Sequence, residues 1–233
     1  MIQAISWNNA YKYFNSNCKQ SEYFATIGMN GSGKSYLTAN LVQMIYKKNS
    51  YVCVFNSKPK DKTLEKYEQI MKFKRVTNIA RHNFEIEPRG IVIKPSTDNL
   101  NSLKAMQAEK FELAINKIWK CGYWTIVFDE IRYLTQFLGL QELIAIFYTQ
   151  ARSSDISIYA GTQRPRFAPL EMYSESRHFA FFHDREEANL KRLSEMASHI
   201  DKNLLKTTIQ NLEKYEFVYV NSDNGDCFIS KVG

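Results

Sequence analysis

A glycine-rich stretch at residues 25–46, ATIGMNGSGKSYLTANLVQMIY, is the feature of this 233-residue chain that most constrains its fold. Gly28, Gly33, Lys34 and Ser35 match the pattern G-x-x-x-x-G-K-[ST], between a strand-like run and a helix-like run. Glycines allow the backbone to curve around a phosphate with its amide N–H groups pointing inward, and the helix N-terminus adds partial positive charge. The stretch therefore predicts a phosphate-binding loop.

The side chains of this loop predict a nucleotide with a metal ion. Lys34 would reach the terminal phosphates, and the hydroxyl group of Ser35 would bind Mg²⁺. The expected cofactors are therefore ATP and Mg²⁺. The residues predicted to contact the nucleotide are Gly28, Met29, Asn30, Gly31, Ser32, Gly33, Lys34, Ser35 and Tyr36.

Two later strand-like runs end in polar side chains. The run WTIVFDE ends in Asp129 and Glu130, and the run ISIYAGTQ ends in Thr162 and Gln163. Asp129 would hold Mg²⁺ through water, and Glu130 is placed to accept a proton from an attacking water molecule. The Gln163 amide could reach the γ-phosphate and the same water. These side chains predict a site that hydrolyses the nucleotide as well as binding it.

Strand-like runs alternate with helix-like runs along most of the chain, which is typical of an α/β fold. Several strand-like runs are apolar at consecutive positions, as expected for a mostly parallel sheet with helices on both faces. The apolar faces of the helix-like runs at residues 41–45 and 111–119 are predicted to pack in the core. The strand-like runs are EYFATI, YVCVFN, IVIK, WTIVFDE, ISIYAGTQ and HFAFFH.

The C-terminal run YEFVYVNSDNGDCFISKV follows a different pattern. It places Asn224-Gly225 between two alternating segments, which predicts a β-hairpin that extends or caps the sheet edge. Residues 58–90 are polar and poorly periodic, and they are the best candidate for an irregular insertion. No linker or repeat divides the chain, so we predict a single P-loop ATPase domain over residues 1–233.

Composition indicates which partners and which cellular compartment suit the chain. The formal net charge of +7 makes a polyanion such as nucleic acid a plausible partner. The cysteines lie at scattered positions without a CxxC pair, so neither a disulfide framework nor a zinc site is predicted, and a reducing cytoplasm fits best. No apolar run approaches the roughly 20 residues of a membrane helix, and no export signal is recognised. The cysteines are Cys18, Cys53, Cys121 and Cys227.

The order of four motifs resembles that of the FtsK/HerA superfamily of ring-forming, DNA-translocating ATPases. The motifs are GMNGSGKS, WTIVFDE, ARSSDISIYAGTQRP and SESRHFAFFHDREEANLKRL, which together cover residues 23–193. The resemblance implies a P-loop fold of the RecA/ASCE type, in which the Gln-tipped strand lies between the phosphate-loop strand and the acidic strand.

The compact chain most resembles the small genome-packaging ATPases of tailless icosahedral viruses, particularly those with an internal membrane. That resemblance implies ATP-driven movement of double-stranded DNA into a preformed capsid by a homo-oligomeric ring, a pentamer or a hexamer. Capsid or vertex proteins are the further partners that it implies. The expected location is the host cytoplasm, or the virion at a packaging vertex.

The resemblance also implies an arginine that completes the ATP site of the neighbouring subunit. Arg152, in TQARSSDIS, matches the expected place after the helix that follows the acidic strand. An arginine there could equally complement the C-terminal dipole of its own helix. Arg164, Arg166 and Arg177 are the alternatives for the trans role.

DNA contact is predicted at the run NSKPKDK, which follows the second strand. Related packaging motors use a similarly placed loop toward the channel, although such a run of charge could also be solvated surface. Contact would be to DNA phosphates and therefore independent of sequence. The candidate residues are Lys58, Lys60 and Lys62.

Four other functions remain open at the level of sequence. A transporter-type ATPase would fit GMNGSGKS but needs an LSGGQ-like signature before the acidic strand, and none is present. A nucleotide or small-molecule kinase need not pair Asp-Glu with a Gln-tipped strand. A filamentous-phage assembly ATPase shares the motif order but characteristically has a membrane-spanning helix. A nucleotide-responsive DNA-binding or scaffold protein without turnover would have no need of Glu130 and Gln163.

Overall fold

A computed structural model describes residues 2–46, 51–58, 64–85, 87, 89–197 and 199–233. The strands in this part of the chain are β1 (Gln3–Ala4), β2 (Tyr23–Ile27), β3 (Tyr51–Phe55), β4 (Lys74–Val76), β5 (Gly90–Ile93), β6 (Trp124–Phe128), β7 (Ser157–Thr162), β8 (His178–Phe182), β9 (Glu216–Asn221) and β10 (Cys227–Lys231). They form one sheet in the order β1-β10-β9-β8-β2-β7-β6-β3-β5-β4.

Helices connect most of the strands. The α-helices of the described residues are α1 (Trp7–Asn17), α2 (Lys34–Tyr46), α3 (Leu64–Gln69), α4 (Leu100–Cys121), α5 (Gln141–Gln150), α6 (Leu170–Ser174), α7 (Glu187–Met196) and α8 (Lys202–Asn211). Shorter 3-10 helices span Ile79–Arg81, Ala151–Ser154 and Pro165–Phe167, and a π-helix spans Tyr133–Phe137. None of the described helices combines the length and apolar character needed to cross a bilayer.

The predicted α/β fold is confirmed. All strands from β8 through β2, β7, β6, β3 and β5 to β4 pair in parallel, and the six predicted strand-like runs correspond to β2, β3 and β5 to β8. β7 lies between β2 and β6, as the resemblance implied. Because the carboxyl ends of parallel strands share one sheet edge, the polar residues that follow β2, β6 and β7 are brought together there.

Two apolar cores cover the two faces of the sheet, because successive residues of a strand point to opposite sides. In β6, Ile126 packs with α4 and α5, whereas Val127 packs on the side of α1 and α2. The helix residues predicted for the core are buried, except Trp119, which is partly buried against it. Burial on both faces explains why these strands have consecutive apolar residues.

The predicted C-terminal hairpin is present and extends the sheet. β9 pairs antiparallel with β8 and with β10, and Gly225 in the turn has a φ of 77°, which favours glycine. β1 pairs in parallel with β10, so β1 and not the hairpin forms this outer strand of the sheet. The segment expected to be irregular, residues 58–90, instead contributes α3 and the edge strand β4 in its described parts.

Candidate active site

The glycine loop connects β2 to α2 at the carboxyl edge of the sheet. Gly31 and Gly33 have φ values of 76° and 111°, a backbone conformation that favours glycine. Lys34 begins α2, and its Nζ donates a hydrogen bond to the Met29 carbonyl oxygen at 2.8 Å, across the loop. The loop thus has the curved backbone and the helix N-terminus that bind phosphate in P-loops.

Lys34 is only 7% exposed. Burial lowers the pKa of its amine to about 8, although the nearby Glu130 and Asp129 carboxylates act in the opposite direction. A phosphate group bound beside the amine would favour its charged form, because opposite charges at short range stabilise each other. The site is therefore suited to a negatively charged ligand.

Asp129, directly after β6, links the loop to the acidic strand. Its Oδ1 accepts a hydrogen bond from Ser35 Oγ at 2.6 Å, and its Oδ2 accepts one from Lys58 Nζ at 2.5 Å. A hydroxyl and a carboxylate oxygen are the hard donors that Mg²⁺ prefers, with water and phosphate oxygens completing its shell. The Lys58 ammonium shows that Asp129 accommodates a cation. Ser35 and Asp129 therefore fit the predicted Mg²⁺ site.

No group of three or more His, Cys, Asp or Glu side chains in the described ranges is placed to hold a metal ion. An all-protein metal cage is therefore not found there. Mg²⁺ commonly binds through only one or two protein carboxylates together with the phosphates of a substrate.

Glu130 faces different partners from those of its neighbour Asp129. Its Oε1 accepts a hydrogen bond from Thr162 Oγ1 at 3.1 Å, and its Oε2 accepts one from the Gln163 backbone N–H at 3.2 Å. Burial raises the pKa of the Glu130 carboxyl, while these two hydrogen bonds and Lys34 oppose the rise. A carboxylate with a raised pKa is a better proton acceptor, so its position and environment suit a general base.

β7 approaches the acidic residues so closely that its penultimate residue must be small. A Cβ atom at Gly161 would lie 2.5 Å from the Asp129 backbone oxygen. Since that contact is with backbone, a larger residue would displace either β7 or the chain after β6. Gly161 therefore allows Thr162 and Gln163 to reach Glu130.

A cavity of about 530 Å³ adjoins these groups. Gln163 also lines a smaller neighbouring cavity of about 170 Å³, where it meets Glu130 and Arg164. The larger cavity is lined by Asn30, Gly31, Gly33, Lys34, Ser35, Tyr36, Lys58, Asp129, Gln163, Tyr215, Val232 and Gly233. The structure thus brings together the glycine loop, both acidic residues and Gln163, all of which the sequence singled out.

Arg152 lies at the amino ends of the strands, whereas the glycine loop lies at their carboxyl ends. Its side chain is exposed, its Nη2 donates to the Glu175 carbonyl oxygen at 3.2 Å, and its Cζ is 5.5 Å from the ring centroid of Tyr23 at the start of β2. It is therefore remote from the site of its own chain, and its role toward a neighbouring subunit stays a prediction.

The other arginines considered for that role have varied surroundings. Arg177 pairs with both Glu22 and Asp223, each at 2.5 Å, and Arg166 pairs with Glu186 at 3.3 Å. Arg164 follows the tip of β7 and lines the smaller cavity beside Glu130. Of these three, Arg164 is the one that adjoins the candidate active site of its own chain.

The predicted DNA-contacting lysines are only partly described. Lys58 lies in the candidate active site with its ammonium on Asp129, and its contact with DNA stays a prediction. Lys60 and Lys62 lie outside the described residues. Lys58 reaches Asp129 because β3 is adjacent to β6, which brings the residues after β3 to the end of the acidic strand.

Sequence reasoning did not identify Tyr215 and Val232 as cavity residues. Glu216 starts β9, which runs antiparallel to β8, so the residue before it is returned to the carboxyl edge. The predicted hairpin carried part of this signal. The sequence did not show that β9 pairs with β8, and that pairing is what places Tyr215 beside the glycine loop.

The parallel sheet, the loop between β2 and α2 and the acidic end of β6 define the fold of a P-loop nucleoside triphosphatase. No family model matches the chain, and no curated protein matches it significantly. Solved structures do match it, at sequence identities that bear on the fold alone.

Three solved structures illustrate this likeness. The genome-packaging NTPase B204 from Sulfolobus turreted icosahedral virus 2, in complex with sulfate, matches with a TM-score of 0.64 and 16% identity over 91% of this chain and 97% of that one. VirB4 of Thermoanaerobacter pseudethanolicus has a TM-score of 0.66 and 10% identity, over 91% of this chain and 89% of that one. The bacterial conjugative coupling protein TrwBΔN70 has a TM-score of 0.65 and 9% identity, over 100% of this chain and 93% of that one. The resemblance inferred from sequence is confirmed at the level of the fold.

Proposed function

We propose that this protein is an ATP-driven motor that moves double-stranded DNA and packages a viral genome into a preformed capsid. The observation that carries the proposal is the joint arrangement of Glu130, Thr162 and Gln163 beside the phosphate-binding loop. A site that only bound nucleotide would have no need of a half-buried carboxylate held at that place. B204 of Sulfolobus turreted icosahedral virus, with the same fold, is described as a DNA-packaging ATPase.

In the proposed reaction, water attacks the γ-phosphorus of ATP and the bond to the β-phosphate oxygen breaks, which yields ADP and phosphate. Glu130 accepts the proton of the attacking water, and Lys34 stabilises the negative charge on the phosphates. Bound Mg²⁺ would supply further positive charge to the phosphate oxygens. Gln163, between the two cavities, orients the water and detects the γ-phosphate.

Assembly and DNA contact are parts of the same proposal. The net charge of +7 supports a partner with a dense negative charge, such as a DNA backbone. A ring of five or six copies would place Arg152 of one subunit toward the site of the next. The capsid or its vertex would be the docking partner. B204 from Sulfolobus turreted icosahedral virus 2 has also been solved with ATP-γS, which supports the choice of nucleotide.

The test is steady-state phosphate release from ATP with and without long duplex DNA of unrelated sequences. We expect stimulation that is alike for all sequences and that declines as salt rises, because contacts to phosphates release counterions. The Glu130→Gln variant is the background control. Hydrolysis that ignores DNA but responds to a small phosphoryl acceptor would contradict the motor and indicate a kinase.

A further inference from the structure

The cavity at the glycine loop is lined by both charged and uncharged side chains. One part is charged, since Ser35 and Lys58 both contact Asp129 there and Lys34 is close by. The other part, called the uncharged part below, is lined by Tyr215, Val232 and Gly233, none of which has a charged side chain. Phosphates would occupy the charged part, because buried or half-buried charges need opposite charges as partners.

Tyr215 is held in this uncharged part by three contacts. Its Cδ1 lies 3.3 Å from the position of a Cβ built on Gly33, so the ring edge is against the glycine loop. The Tyr215 backbone oxygen accepts a hydrogen bond from Val232 N at 3.0 Å. The ammonium of Lys214 lies 5.0 Å from the ring centroid. Although the ring is 43% exposed, its position beside the loop is therefore defined.

We propose that Tyr215, with Val232 and Gly233, forms the nucleobase subsite and binds the purine ring of a nucleoside triphosphate by stacking. An aromatic ring next to the phosphate loop offers a flat apolar surface in the same cavity as the phosphate-binding groups. This inference rests on the proposed function, since it assumes that the loop binds a nucleoside triphosphate. It adds a residue from the C-terminal hairpin to a site otherwise built from β2, β6 and β7.

The same geometry defines the specificity of the site. Stacking tolerates different bases, because every base has a π-face, whereas discrimination needs hydrogen bonds to the base edge. The side chains of this part are a phenol, whose hydroxyl can either donate or accept a hydrogen bond, and an aliphatic group, so neither side chain selects one purine edge. ATP and GTP should consequently bind with affinities that differ by no more than a few-fold, and both should bind more tightly than a triphosphate without a base.

The experiment measures binding of three probes by calorimetry in the presence of Mg²⁺: AMPPNP, GMPPNP and inorganic tripolyphosphate. Tyr215→Ala should weaken AMPPNP and GMPPNP binding about 10-fold, and up to about 100-fold, as expected for loss of base stacking. Tripolyphosphate binding should change by less than about 2-fold, which is below the effect of one weak contact. Tyr215→Phe should retain wild-type affinity, and Tyr215→Leu should lose most of it.

The matched control is Tyr123→Ala. Tyr123 and Tyr215 are both exposed, both directly precede a strand and have φ values of 59° and 70°, but Tyr123 lies at the opposite sheet edge. We expect it to bind all three probes like the wild type. Thermal unfolding of each variant checks that the fold is retained.

Three results would overturn the proposed subsite: equal loss of the nucleotide analogues and tripolyphosphate in Tyr215→Ala, no loss of either, or strong rejection of one purine by the wild type. A wild type that binds none of the probes would refute the proposed function and the subsite with it. A wild type that binds them as expected, yet shows no response to DNA, would refute the motor and leave the base subsite supported.

Discussion

Asp129 and Glu130 are adjacent in sequence, yet their carboxylates face different partners. Asp129 accepts hydrogen bonds from Ser35 and Lys58, whereas Glu130 accepts them from Thr162 and Gln163. The first arrangement suits a metal ion and the second suits a water molecule. This division between neighbouring carboxylates makes their contributions separable by mutation.

The Glu130→Gln variant should bind ATP and Mg²⁺ but hydrolyse ATP roughly 10² to 10⁴ times more slowly, because the amide keeps the shape and loses the proton acceptor. Phosphate release and nucleotide binding are the two measurements. Lys34→Ala is the comparison variant and should lose binding itself. Wild-type hydrolysis by Glu130→Gln would show that Glu130 is not the base.

Lys58 gives a second prediction at this scale. Its ammonium occupies Asp129 Oδ2 and should compete with Mg²⁺ for that carboxylate. Replacement of Lys58 by Met should lower the Mg²⁺ concentration needed for half-maximal ADP binding by roughly 2- to 5-fold, the usual size for a half-exposed ion pair. Titration of Mg²⁺ at fixed ADP measures the change.

The control for Lys58→Met is Lys120→Met, which removes an exposed lysine from the end of α4 at the opposite sheet edge. It has the same charge change and should leave the Mg²⁺ midpoint unaltered. A midpoint that stays the same or rises in Lys58→Met would refute the competition.

The residues of the site differ in how far sequence could predict them. Gly28, Lys34 and Ser35 belong to a local pattern, so their meeting required only a strand, a turn and a helix. The contact between Lys58 and Asp129 joins residues 71 positions apart. The contact depends on the pairing of β3 with β6. No local sequence pattern indicates that these two strands are neighbours in the sheet.

At the scale of elements, a buried polar network connects the amino end of β2 to β8 and β9. Glu22 precedes β2, and its Oε2 lies 2.8 Å from Nε2 of His178 in β8. The Nδ1 of His178 is 2.7 Å from the Tyr219 hydroxyl in β9. Lys19 N and Arg177 also donate to the Glu22 carboxylate, at 2.8 Å and 2.5 Å. The network connects the parallel part of the sheet to the C-terminal hairpin.

This network predicts acid sensitivity. Burial alone would raise the pKa of Glu22, but the hydrogen bonds from His178, Lys19 and Arg177 and the charge of His178 lower it from 4.5 to about 2. A folded-state pKa below the unfolded value stabilises the fold above pH 4.5, and this contribution is lost as the pH falls toward 2. At neutral pH it is on the order of 3 kcal/mol.

Glu22→Gln should therefore lower the free energy of unfolding at neutral pH, and the deficit relative to the wild type should shrink as the pH falls. Urea unfolding at pH values spanning that interval measures both effects. Glu109→Gln, a change at an exposed carboxylate of α4, should stay within about 0.5 kcal/mol of the wild type. A deficit that does not depend on pH would contradict the role of the Glu22 charge.

Periodicity predicted the longer elements and missed the shortest. β2, β6 and β7 were recognisable because they are five or six residues long and rich in apolar, β-branched and aromatic residues. β1 and β4 have only two and three residues, too few for any alternation to be detected. β1 pairs with β10 and β4 pairs with β5, so each short strand depends on a partner that comes later in the chain.

At the scale of the whole molecule, the prediction concerns sites shared between subunits. If Glu130 of one subunit works with Arg152 of the next, then Glu130→Gln and Arg152→Ala each damage one side of the same interface. Mixing the two inactive proteins should restore part of the ATP hydrolysis, because some interfaces then combine two intact sides. Phosphate release from the mixture, against each variant alone, is the measurement.

Strict coupling around a ring could hide such recovery, so binding of ADP with aluminium fluoride is measured in parallel, since it needs no turnover. Arg164→Ala is the comparison variant, because Arg164 adjoins Glu130 within its own chain. An Arg152→Ala protein that binds the analogue and hydrolyses ATP like the wild type would exclude Arg152, and Arg164 would become the candidate.

The placement of Arg152 at the amino ends of the strands, with the glycine loop at their carboxyl ends, constrains how copies can be arranged. β2 has five residues, so the two positions are separated along the strand direction by roughly 15 Å or more. A flat ring has no rise from one copy to the next. If Arg152 acts in trans in such a ring, the strands must run around its circumference, whereas strands parallel to the pore would force the copies into a spiral staircase.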